Sequence, residues 1–401
     1  ERARVAESRG RIEVEDVEAI VGDASGTARG SAVSIRGNQN QSVRATIENT
    51  GAIDGSRARL AISASGPVTI VNAGTIRGGA GGAAIELVNA EGSELVLRSG
   101  SQIVGSVTVR RQDIVPLSDA ELGNDPTAIA YCRQNPTDRF LPCVKTADTL
   151  PNRATLALEG AAGAEDDRLS GFNRIEKRGA GTWTLNTPLQ AGSASDGYQS
   201  GDFRGPLTVD VQDAAGRLNL TGSISDNADG TKGEIVKDGV GILALSGNNT
   251  YSGPTRINAG ALQANGGNAI GDRSAVTVAG GALLQLGASE TIGSLAGAGN
   301  VFLQNNALTS GGDNTSTTFS GAMIGSGRFE KYGTGTLTLT GASTATGDLI
   351  VQEGALNMAG STPMHVAVSS GGTLTGTGTL GRLTNYGVVA PGNSVGTLNV
   401  N

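Results

Sequence analysis

Through most of the chain, apolar and small polar residues alternate in short runs, and glycine closes the runs at short intervals. Alternation with period two marks a strand buried on one face. The clearest stretch is 327–341, where a short strand ending in Lys331 meets Gly333-Thr334-Gly335. A second strand follows, with Leu337 and Leu339 on one face. The same frame recurs at 233–247, with Lys237 before Gly239-Val240-Gly241, and at 173–186, with Lys177 before Gly179-Ala180-Gly181. Each copy predicts strand, tight corner, strand, with glycine supplying a positive φ or a close backbone approach. Three copies of one frame predict a repeat architecture.

Residues 1–110 carry a related rhythm. The turns beginning at Ile47, Ile70 and Leu97 are alike and start 23 and 27 residues apart. That step suits one coil of a parallel β-solenoid with three strands and three corners. Equivalent Ile and Leu would stack inside it, and Asn49 and Asn72 would form a side-chain ladder at a corner. The frequent glycines exclude a helical alternative.

Residues 111–152 break the rhythm with four prolines, both cysteines and a helix-compatible piece near 117–122, and read as a loop excursion from the stack. Strands resume over 153–326, interrupted by a polar, Gly- and Ser-rich excursion near 187–205. Coils without long excursions fill 327–401.

Composition sharpens this picture. Glycine is 63 of 401 residues, without a collagen period, and aromatics are 3 %. Thin layers filled by Val, Ile, Leu and Ala do not need the aromatics that a compact core leans on. A net charge of −7 argues against nucleic acid as a partner. No apolar run is long enough for a membrane-spanning helix. The chain starts at Glu1, as a mature or excised fragment would. Cys132 and Cys143 either close a small disulfide loop, worth about 3 kcal/mol in the chain-entropy model, or are two reduced thiols. A single histidine and the absence of a Cys-x-x-Cys pair argue against a metal site.

The Gly-x-Gly-Thr-Leu-Thr-Leu-Thr-Gly pattern at 333–341, the Gly247-Asn248-Asn249-Thr250-Tyr251-Ser252-Gly253 turn leading to Gly260-Ala261-Leu262, and the Pro391-Gly392-Asn393-Ser394-Val395-Gly396-Thr397-Leu398 ending resemble the passenger domains of bacterial autotransporters. The resemblance is good from about residue 171 onward and compatible over 1–110. It implies an all-β, right-handed parallel β-helix, exported through the periplasm of a Gram-negative bacterium and displayed at the cell surface by a C-terminal β-barrel that this stretch does not include. It also implies that 327–401 occupy the autochaperone position, where the C-terminal coils fold first. A short Cys132–Cys143 loop suits passage through a narrow pore.

Candidate chemistry reads mostly as scaffold. Gly392-Asn393-Ser394-Val395-Gly396 has nucleophile-elbow spacing, but a strand pattern follows it where the elbow needs a helix, and a triad would have to use His365. Gly376 to Gly381 has dinucleotide-fingerprint spacing but no helix to open. The acidic stretches 165–167 and 226–230 lack EF-hand spacing and read as solvated turns. Arg36, Arg57, Arg77 and Arg98 recur at steps of 20 or 21 residues. Interspersed acids make a mixed solvated face the better expectation than a basic stripe gripping an acidic glycan.

The expected function is therefore that of a surface-displayed or secreted passenger without catalytic residues, metal or cofactor. It would bind a host-cell or matrix protein or glycan, or another passenger. Tyr131, Phe140, Tyr198, Phe203, Arg57 and Arg77 are the candidate contacts. The alternatives are a stalk presenting an N-terminal protease or lipase, and a polysaccharide-active β-helix enzyme. About sixteen coils are expected.

Overall fold

The computed structural model describes residues 11–13, 18–21, 31–36, 45–56, 58–79, 82–88, 92–116, 130–131, 133, 144–149, 154–165, 168–190, 192–193, 206–227, 230–392 and 396–401. They form an all-β parallel solenoid of about 14 turns, a rod on the order of 65 Å long at ~4.8 Å per turn. No helix among the described residues is long and apolar enough to cross a membrane.

One coil shows how the sequence makes the shape. Ser294–Gly297, Asn300–Gln304 and Ala307–Ser310 are three short strands joined at corners. Each pairs in parallel with its counterpart one coil on. The strands thus build three faces, here called first, second and third in chain order. Because register is kept from coil to coil, every second residue falls into an interior column. On the second face Leu243, Leu262, Leu284, Val301 and Met323 are in register and all are buried. Each such side chain contributes about 1.5–3 kcal/mol on leaving water.

The asparagine ladder expected at the corner is present. Asn49 Nδ2 donates to Asn72 Oδ1 at 2.8 Å and to the Thr75 carbonyl at 3.1 Å, while the amides of Gly51 and Gly74 donate to the two side-chain oxygens. Both side chains are buried. Asn72→Ala is expected to lower stability by about 2 kcal/mol, because it removes the side-chain bonds to Asn49, to the Gly74 amide and carbonyl and to the Gln102 carbonyl, and strands part of Asn49. Urea unfolding of variant and parent checks this.

Trp183 is also interior and stands in register with Gly163. A Cβ at Gly163 would lie 2.5 Å from the indole ring, so this glycine makes room for the large side chain. Phe172 and Trp183, which precede the 187–205 excursion in sequence, are core residues.

The ends and insertions depart from the parallel rule. Arg11–Glu13 and Glu18–Val21 pair antiparallel with Ala45–Asn49 and Ser31–Arg36, so the first strands cover the end of the stack and are not coils of it. Such cover protects an open sheet edge. Ser106–Pro116 begins as a third-face strand, then leaves the stack and pairs antiparallel with Val144–Thr149. The 111–152 excursion thus stands on a two-stranded ribbon. The two excursions use chain that would otherwise form coils, which accounts for about 14 turns where sixteen were expected.

Candidate functional site

The repeated frame gives the most distinctive local chemistry. Lys177, Lys237 and Lys331 are interior and almost wholly buried. Each ammonium donates to the carbonyls of its own corner and to one from an adjacent coil. Lys237 Nζ donates to Asp238 O at 2.7 Å, Gly239 O at 2.8 Å and, one coil on, Ala259 O at 3.1 Å. Lys331 Nζ reaches Tyr332 O, Gly333 O and, one coil on, Glu353 O. Lys177 Nζ reaches Arg178 O, Gly179 O and Ala180 O, and Gly160 O of the preceding coil. An ammonium has three protons, so a cluster of carbonyls satisfies it where water is excluded.

The two glycines of the frame meet two demands, a left-handed turn and close coil contact. Gly179, Gly239 and Gly333 sit at φ of 71°, 73° and 69°, in the left-handed region. Gly181, Gly241 and Gly335 lie against the preceding coil: a Cβ there would come within 1.8 Å of Ala161 O, 2.4 Å of Asp213 O and 2.2 Å of Thr315 O. The first glycine turns the chain and the second permits coil contact, but the roles overlap: Gly181 is also left-handed, at φ 88°, and a Cβ at Gly239 or Gly333 would come within 2.3 Å of Val211 O or 2.0 Å of Gly311 O.

The copies do not stack on one another. Lys177 and Lys237 lie on the first face. Lys331 is in register with Ser310 and Val351, on the third face. The frame is thus a local corner device that can be used at more than one edge of the prism.

The passenger-associated transport repeat family matches residues 235–264 and 329–358, which contain the Lys237 and Lys331 corners. The chain is 38 % identical over 160 residues to the adhesin BmaC autotransporter of Brucella suis, covering 38 % of this chain and 4 % of that protein. It is 44 % identical over 84 residues to an extracellular serine protease of Serratia marcescens, covering 20 % of this chain and 8 % of that protein. The chain is an autotransporter passenger domain carrying such repeats. It spans under a tenth of either curated relative. No solved structure matches it. Residues 173–186 lie outside the matched repeats, yet they build the same lysine corner.

Burial sets the electrostatics of the passenger's interior. It pushes Lys237 down to about 8, against the pull of Asp210 and Asp238, and it lowers Lys177 and Lys331 as well. Burial pushes Glu290 up to about 8, although the amides of Ala269 and Ile270 donate to its carboxylate. These two shifts give a pH signature. Between about 4.5 and 8 the folded state holds more protons than the unfolded state at Glu290, so stability falls as pH rises. From about 8 toward 10.5 the unfolded state holds more at Lys237, so this contribution to stability rises with pH. Urea midpoints measured against pH are expected to show the falling limb lost in Glu290→Gln and the rising limb lost in Lys237→Met.

On the outer first face, Arg178 bridges Glu94, Glu159 and Glu176, Arg174 bridges Glu176 and Asp210, and Arg98 meets Glu159. Burial would raise Glu176, but Arg174 and Arg178 hold it below the usual carboxylate range. Arg36 ends a third-face strand, Arg77 a second-face strand and Arg98 a first-face strand. In-register partners of Arg77 are Asp54 and Val104. The described arginines therefore form no stripe: a step of 20 or 21 residues drifts against the longer coil step of this region.

Of the remaining candidates, Arg57, Cys132, Phe140, Cys143, Tyr198, Phe203, Ser394 and the helix-compatible 117–122 piece lie outside the described residues. Tyr131 is exposed, in a short helical turn within the first excursion. His365 is engaged by neighbouring coils: Nδ1 meets Asp348 Oδ1 and Nε2 meets Thr384 Oγ1, each at 3.0 Å. Asp226 is a structural acceptor, taking the amides of Gly233 and Ser252 and the Ser252 hydroxyl. The Gly376 to Gly381 stretch runs into the Thr379–Asn385 strand. No group of three or more potential metal ligands occurs among the described residues.

Sequence reasoning placed the lysines before the corners but missed their burial. The usable signal was a lysine on the apolar phase of an alternating strand, two residues before a left-handed glycine.

Proposed function

We propose that this passenger is an adhesive rod of the Gram-negative cell surface. It has no catalysis of its own and makes contacts through the excursions at 111–152 and 187–205. The ribbon formed by Ser106–Pro116 and Val144–Thr149 carries this reading, because its strands leave the stack and Tyr131, in the chain between them, is exposed. Loops on a rigid scaffold are favoured positions for binding. The match to an autotransporter adhesin supports the same class. The contact is a host or matrix protein or glycan, or another passenger, and a C-terminal β-barrel serves as translocator. Replacing residues 117–143 by a short Gly-Ser linker on the intact ribbon tests it. Cells displaying the variant are expected to lose binding to matrix-coated surfaces while keeping parental surface levels. Undiminished binding, together with undiminished binding when 194–205 is replaced, would overturn the proposal.

A second reading is supported by the match to an extracellular serine protease: this stretch as a stalk that presents an effector elsewhere in a longer protein. Proteolytic activity of displayed full-length protein, with both excursions dispensable, would favour it.

A further inference from the structure

From residue 162 to residue 325, the solvent side of the second face differs from the other two. On the first face the outward residues include Arg174, Glu176, Arg178 and Asp210, and on the third they include Arg328, Glu330, Asp348 and Arg382. The second-face sheet has eight strands, from Ala162–Glu165 to Met323–Gly325. Across it, Arg217 is the one charged residue at an outward position. Outward positions there hold a run of apolar residues instead. Ile242, Ala261 and Leu283 are in register on successive coils; their column then meets Asn300, and Phe302 and Ile324, in register with Gln285, extend the apolar patch diagonally in the adjacent outward column on the next two coils. All five are partly exposed and alternate with the buried interior column.

Polar neighbours on this face bond to one another. Gln263 Nε2 donates to Gln285 Oε1 at 2.9 Å, Arg217 Nε to Asn219 Oδ1 at 2.8 Å, and Asn219 Nδ2 to Thr184 Oγ1 at 3.2 Å. Groups already bonded across the ladder lose less on leaving water. Depletion of charge with an apolar centre is the composition of an interface core.

We propose that the second face packs against the second face of another copy of this chain. Another sheet of the same length can pack face to face on this one, and an isologous pairing sets the apolar patch of one copy against that of its partner. Eight strands at ~4.8 Å spacing and ~15 Å of strand give about 500 Å² per partner, or about 1,000 Å² in total, the low end for a specific interface. The association is therefore weak for one pair and gains strength when many copies face one another on opposed cells. This inference rests on the adhesive reading and names one of its partners.

Sedimentation velocity on the purified 401-residue chain tests it, with Leu283→Lys/Phe302→Lys as the variant and Thr318→Lys/Thr338→Lys, outward on the first face, as control. The parent is expected to show a concentration-dependent dimer, the second-face pair to weaken it about tenfold or more, and the control to match the parent. Unchanged melting shows that the variants fold. A parent that stays monomeric at hundreds of micromolar, or a dimer that both pairs weaken alike, or that neither weakens, overturns the proposal. Matrix binding of the 117–143 replacement is read separately, so failure of the dimer and failure of the adhesive reading are distinguishable.

Discussion

Lys237→Met is expected to cost about 3 kcal/mol, the largest effect of any single polar substitution in the central coils. The methionine keeps most of the methylene packing and removes the ammonium. Three carbonyls, those of Asp238, Gly239 and Ala259, then lose a charge-assisted donor inside the stack. Two belong to the corner and one to the next coil, so both the turn and the coil-to-coil contact weaken. Solenoid coils depend on their neighbours, so the loss is regional. Amide exchange should accelerate at residues 238–241 and 258–261 and stay at the parental rate beyond residue 380. Exchange that is unchanged at the corner would show that the ammonium is incidental. Lys331→Met is expected to act alike around 332–335 and 353–355.

Leu337→Asp combined with Leu339→Asp is expected to abolish protease resistance of the C-terminal coils and to reduce the passenger at the cell surface several-fold. Both leucines are interior, and they stand in register with Leu356 and Met358. Two carboxylates without partners there cost several kcal/mol. If the C-terminal coils fold first and template those behind them, the damage extends to export of the whole passenger. Limited proteolysis and surface labelling of displayed protein measure both effects. A resistant core at parental surface levels would separate these coils from export.

Much of the architecture was legible before any coordinate, for reasons that particular residues make plain. Period-two runs such as Thr336–Leu339 can bury only one face, and repetition of the corner frame leaves stacking as the way to cover that face. Asn49 and Asn72 announced a ladder because they recur at the same place in two related turns. What stayed hidden depends on phase between distant coils. The arginine step of 20 or 21 residues looked like a column, yet Arg36, Arg77 and Arg98 fall on three faces, since coil length varies with corner and loop length. The same variability moved Lys331 to another face than Lys177 and Lys237. The outward apolar run of the second face was invisible for a related reason: Ile242, Ala261, Leu283, Phe302 and Ile324 are neighbours only once register is known. Lysine in an alternating strand reads as a polar, outward residue, and only the carbonyl cluster explains its inward side.

The solenoid is a regular stack in which distance along the rod is counted in rungs. From Thr208, the outward column of the first face runs through Val236, Arg256, Thr277, Ala296 and Thr318 to Thr338, and on through Asn357 to Thr375. Pulsed electron–electron double resonance on spin-labelled pairs, with Cys132 and Cys143 replaced by serine, tests this directly. At ~4.8 Å per rung, labels at 208 and 338 are expected about 29 Å apart, and labels at 208 and 375 about 38 Å apart. Equal separations for the two pairs, or a shorter one for the more distant pair, would contradict the solenoid.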